Sequence, residues 1–139
     1  MIQNKPTGVD RSNLPDTLVA AEQRKSNLIL EANLLQYQGQ YEAAADKFAD
    51  AAELEEQLAS QLQPLGKTEK AFVHLFSALS CWVQAGDLHR ALVLGQQLLR
   101  DDHLSPNQRQ QVSDYLHTLR GRLAQWMSQW ASEPTTASD

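Results

Sequence analysis

The chain has 139 residues, 42% apolar and 21% charged, a size and balance that suit one soluble globular domain with its own core and exclude wholesale disorder. Twelve basic against seventeen acidic side chains give a net charge of -5, which repels a nucleic-acid backbone and excludes that class of partner. The apolar runs are too short for membrane insertion and the opening MIQNKPTGVD lacks the order of a secretion signal, so a cytoplasmic location is expected, with the lone Cys81 a small buried hydrophobe beside Leu79 and Trp82.

Five amphipathic helices are predicted and no strand pattern competes with them. Residues 1–12 and 132–139 carry few apolar groups and are expected to be flexible tails flanking a single helical domain over 13–131. The first helix runs from about Asn13 to Gln38, with Pro15 in its first turn and Leu14, Leu18, Ala21, Leu28, Ala32 and Leu35 along one side, and it ends at Gly39. The second, from about Tyr41 to Leu62, places Tyr41, Ala44, Phe48, Ala51, Leu58 and Leu62 inside and Glu42, Asp46, Asp50 and Glu53 on a solvated stripe. After QPLGKT, Thr68 is the expected cap of a third helix carrying Phe72, Leu75, Phe76, Leu79, Trp82 and Val83. Gly86 stops that helix, and Asp87 caps a fourth with Leu88, Ala91, Leu92, Leu98 and Leu99 on its buried side. The fifth opens on Ser105, Pro106 and Gln108, a capping box, and continues through Val112, Tyr115, Leu116, Leu119, Leu123, Trp126 and Trp130 to about Ala131.

The stretches LILEANLLQYQGQYEAAADKFADAAEL and LFSALSCWVQAGDLHRALVLGQQLL share one order: apolar helix, glycine, a polar residue, tyrosine or leucine, two residues, alanine, second apolar helix. Leu28, Ala32, Leu35, Gly39, Tyr41, Ala44, Phe48 and Ala51 in the first copy, with Leu75, Ala78, Trp82, Gly86, Leu88, Ala91 and Leu98 in the second, resemble the tetratricopeptide repeat. The glycines lie 47 residues apart where that family's period is about 34, Glu31 stands at a packing position, and Gly95 replaces a large aromatic. The resemblance implies an all-α fold of antiparallel helix hairpins, a right-handed superhelix of about five helices, whose alanines mark the closest helix approaches. The fifth helix is expected to pack over the second repeat as a cap, with Gly121 permitting a close crossing.

In that family the first helix of each repeat lines a concave face that binds peptides or helices. Carried over, the resemblance implies partner-binding positions at Ile29, Asn33, Gln36 and Tyr37 in the first copy and Phe76, Ser77, Ser80 and Gln84 in the second. Leu30, Val73 and Val83 belong to the same face, and the lysines that clamp a terminal carboxylate in the family are absent. Helices one and three are apolar on more than one side, so something covers them: the fifth helix, a second copy, or an amphipathic helix of another protein. Trp126 and Trp130 either close the bottom of the core or form a contact patch, and Arg109, Arg120, Arg122 and His117 give the fifth helix a mildly basic side.

No enzyme is expected, and no cofactor or metal. His74, His89, His103 and His117 are scattered without a ligand pair, no glycine-rich phosphate loop follows a strand, and RDDH at 100–103 sits at a helix end beside solvent. The expected function is therefore a protein-interaction adaptor or scaffold that binds a partner peptide, an amphipathic helix or itself. The alternative is a small helical regulatory or structural subunit, whose N-terminal half resembles the three-helix microtubule-interacting and trafficking domain.

Overall fold

The structure, a computed structural model, describes residues 15–132. The expected tails, save Ser132, and the first helical residues Asn13 and Leu14 lie outside the described residues. Among the described residues the fold is all-α, with five helices: α1 (Asp16–Tyr37), α2 (Tyr41–Leu62), α3 (Thr68–Gln84), α4 (Leu88–Leu99) and α5 (Pro106–Ser132), and a 3-10 turn at Gln63–Leu65. The chain divides into two compact units, the first ending at Ala91 and the second beginning at Leu92, so the boundary falls within α4.

In the first unit α2 packs against both α1 and α3. Leu18 of α1, Leu58, Ala59 and Leu62 of α2, and Ala71 of α3 form a common core, with Val19, Ala21 and Leu75 packed against it. Ala32, Ala44, Ala51, Ala52 and Ala78 are buried as well, which lets neighbouring backbones approach closely. The acidic stripe Glu42, Asp46, Asp50 and Glu53 faces solvent. Tyr41, expected inside, is exposed: it is the first residue of α2, and α1 has already ended at Tyr37, so no facing turn remains to cover it.

Three turns of this unit are built alike. Gly39, Gly66 and Gly86 hold φ of 80°, 77° and 82°, the left-handed region that side chains resist. At each, the glycine N–H donates to the carbonyl three residues back, Gln36, Gln63 and Val83, at 3.0 Å. The next residue's N–H reaches five back, from Gln40 to Leu35 at 2.9 Å, Lys67 to Leu62 at 3.2 Å and Asp87 to Trp82 at 2.9 Å. That same residue then starts the following helix, its carbonyl accepting from Ala44, Ala71 or Ala91, all three buried. The paired bonds close the helix end and satisfy carbonyls that would otherwise be orphaned.

Two capping expectations change in consequence. Thr68 is already helical and Lys67 takes the position before it, because the turn leaves no residue to spare. Pro15 likewise precedes α1 at ψ 149°, and its carbonyl accepts from Leu18 and Val19. Asp87 does cap α4, accepting from the Arg90 N–H at 3.1 Å.

In the second unit the capping box is formed on both arms: Gln108 N–H donates to Ser105 Oγ at 3.1 Å and Ser105 N–H to Gln108 Oε1 at 3.0 Å. Leu94, Leu98, Val112, Leu116 and Leu119 are buried. A side chain at Gly95 would place its Cβ 2.6 Å from Leu116 Cδ2, so the glycine found where the resemblance expects an aromatic lets Leu116 of α5 lie directly against α4. Gly121, expected at a close crossing, has nothing within 4 Å of where its Cβ would be.

A Cβ at Gly66 would likewise meet nothing within 4 Å, so Gly66→Ala isolates the backbone term. We expect it to lower stability by about 1 to 2 kcal/mol in urea unfolding, with Gly66→Asn losing less; an unchanged midpoint for the alanine variant contradicts the left-handed turn.

Candidate functional site

The face shared by α1 and α3 carries the residues that the sequence singles out. Glu22 of α1 meets Lys70 and His74 of α3, and further along Gln36 Nε2 donates to Gln84 Oε1 at 3.3 Å, so the two helices run in the same direction, side by side. On α1, Ile29 and Gln36 are half-buried, Asn33 is exposed, and Tyr37 is 91% exposed. On α3, Phe76, Ser77 and Ser80 are half-buried and Gln84 is exposed. Phe76 stacks on Phe72 with centroids 5.9 Å apart, and the Ser77 hydroxyl is turned inward, donating to Glu55 Oε2.

Beside Asn33 and Tyr37, α1 also exposes two leucines. Leu30 is 69% exposed and Leu34 is exposed too, on the side of the helix opposite Leu28 and Ala32. Val73 extends the apolar surface on α3. Glu31, at a packing position in the resemblance, faces solvent and pairs with Lys47 at 3.3 Å.

Beneath this face lies a polar group that the helical pattern hides. Glu55 of α2 is 0% exposed and occupies the stripe formed by Phe48, Ala51, Ala52, Leu58, Ala59 and Leu62. Its Oε1 lies 2.6 Å from His74 Nδ1, and its Oε2 accepts from Ser77 and lies 3.8 Å from Lys25 Nζ. His74 Nε2 is 3.3 Å from Glu22 Oε2, which Lys70 Nζ approaches at 3.7 Å. A neutral imidazole has one N–H, so hydrogen bonds to both carboxylates take one further proton within the group. Buried carboxylates are tolerated when paired in this way. Among the described residues no three His, Cys, Asp or Glu side chains are arranged to hold a metal ion.

Cys81, a turn further along α3, is buried, as the sequence suggests. Burial pushes its thiol up, from 9.0 to about 11, with the Glu55 carboxylate adding to the rise and Ser77 and Lys25 opposing it. It is therefore a protonated, unreactive thiol at neutral pH. A second polar tie closes the other side: Trp82 Nε1 donates to Glu56 Oε2 at 2.7 Å, while the Arg90 guanidinium lies 4.5 Å from the Trp82 ring centroid and 3.4 Å from Glu53.

Spacing alone points to Glu55: it follows Phe48, Ala51 and Ala52 by seven, four and three residues, the register of a buried position. Of the α5 residues, Arg109 leaves the basic surface, since it donates to the carbonyls of Leu99 and Asp101 and so closes the end of α4. RDDH is part of that turn, Asp101 Oδ1 accepting from the His103 N–H at 2.9 Å. No helix among the described residues is long and apolar enough to cross a membrane. Comparison with family models, with curated proteins and with solved structures finds no match for this chain.

Glu55→Ala leaves His74, Ser77 and Lys25 facing a cavity. We expect a loss of about 3 to 5 kcal/mol in denaturant unfolding, the cost of breaking a buried ionic group on one side. For Cys81 the raised value favours the folded state: its contribution is complete below pH 9 and lost as pH rises toward about 11. Alkylation at neutral pH is expected to follow global unfolding, and prompt labelling of the native protein would contradict the buried thiol.

Proposed function

We propose that this chain is a cytoplasmic helical protein-interaction domain, an adaptor or scaffold built on lengthened tetratricopeptide-like hairpins, which binds an amphipathic helix or extended peptide along α1 and α3. The observation that carries this reading is the apolar surface of α1: Leu30, Leu34 and Tyr37 stand exposed on a helix whose opposite side, Leu18, Leu28 and Ala32, is already buried. A helix apolar on both sides is one that packs on both. Asn33 lies amid these side chains, where its amide offers donor and acceptor to a peptide backbone. The right-handed superhelix belongs to the same proposal, and the identical bonding at Gly39 and Gly86 supports it.

The second reading, a small helical regulatory or structural subunit, draws its support from the compactness of the first unit, in which α1, α2 and α3 share one core. It too places the contact on exposed helix surface, so one experiment serves both. Leu30→Glu combined with Tyr37→Glu changes side chains that contribute little to the core. We expect helix content to be unchanged and capture of partners from native lysate to fall at least tenfold, as loss of a hot spot worth about 2 kcal/mol or more does. An identical set of captured proteins would overturn the assignment of this face.

A further inference from the structure

The apolar seam of α5 is covered over only half its length. Val112, Leu116 and Leu119 are buried and Leu123 is half-buried, whereas Trp126 and Trp130 are 56% and 68% exposed. These six residues recur at spacings of four, three, four, three and four, which puts them along one side of the helix. Met127 flanks the exposed part, and the two indoles lie 5.9 Å apart, so the uncovered stretch is one continuous patch. Tryptophan and methionine are concentrated in buried contact surfaces.

The charges say what fits. No acidic residue occurs from Tyr115 to Ser132. Arg120 and Arg122, both exposed, stand at the N-terminal end of the uncovered stretch. Its other end is the C-terminus of α5, where the last carbonyls carry the negative pole of the helix. The stretch is thus positive at one end and negative at the other, and it is its own complement when reversed. A copy laid antiparallel sets each pair of arginines beside the other's helix end. A parallel copy would set four arginines side by side.

We propose that residues 119–131 of α5 form an antiparallel two-helix contact with the same segment of a second copy, Leu123 of each facing the tryptophans of the other. The contact is isologous and closes on itself as a dimer. It does not rest on the reading given to α1.

Sedimentation equilibrium of the full chain is expected to show a dimer whose dissociation on dilution red-shifts tryptophan emission. Trp126→Gln with Trp130→Gln should give a monomer of unchanged helix content; Met127→Glu is the second variant if that one folds poorly. Arg120→Gln with Arg122→Gln should weaken the dimer several-fold, and a tighter dimer would overturn the antiparallel arrangement. The α1 variant, Leu30→Glu with Tyr37→Glu, should remain dimeric, which separates this contact from the partner face. A wild-type monomer at the highest soluble concentration, or a dimer indifferent to the tryptophan changes, overturns the proposal. So does a monomer that binds phosphatidylserine vesicles through Trp126 and Trp130, which would assign the patch to lipid.

Discussion

The first unit is organised around a carboxylate that has no access to water. Glu55 stands on the buried side of α2, the helix between α1 and α3, and each neighbour answers it: α3 with His74 and Ser77, α1 with Lys25 and, through His74, with Glu22. Withdrawing such a group from water costs several kcal/mol, which is recovered only where all its partners are in place. Apolar side chains accept many rotations of one helix against another; this group does not. One residue of slip turns a helix by about 100° and carries Lys25 or His74 away from the carboxylate. The leucines and alanines supply the driving force for packing, and the observed register is one in which the partners of Glu55 are all in place.

That interior shapes the surface above it. Ser77 and His74 belong to α3 on the side that borders α1, yet both are committed to the buried carboxylate. What remains outward is Asn33 and Tyr37 with the leucines of α1, and Val73 and Gln84 on α3. The exposed face is therefore less polar than its sequence reads, since Ser77, one of the positions assigned to it, points inward. Gln36 and Gln84 bridge the two helices near their ends.

The helices, the glycine turns at Gly39 and Gly86, the acidic stripe and the capping box at Ser105 were all legible in the sequence, because each depends on neighbours within a few residues. The failures share the opposite property. Spacing puts Glu55 on the buried side of α2, but what lets a carboxylate stand there is His74, 19 positions away on another helix. Gly95 reads as a departure from a pattern until Leu116 is seen to lie against it. Arg109 reads as surface charge until the carbonyls of α4 are placed beside it. The Gly66 turn was visible as a break but not as a third instance of the same joint, because Thr68 offered a plausible cap and drew the helix start one residue forward. Of the candidate face, the positions could be named from the resemblance, but Ser77's inward bond and Leu34's exposure depend on helix rotation, which spacing leaves open.

The repeated joint has a consequence for how such a chain can vary. Each corner is made by six or seven consecutive residues bonding among themselves, with no reference to how far the preceding rod has run. Rod length and corner shape are thus separate variables. Whole turns of helix can be inserted or removed between corners, provided the insertion restores the rotation and the buried stripe stays in phase. A spacing of 47 residues between Gly39 and Gly86 then needs no new kind of corner, only longer rods, and the span can change while every bend stays the same.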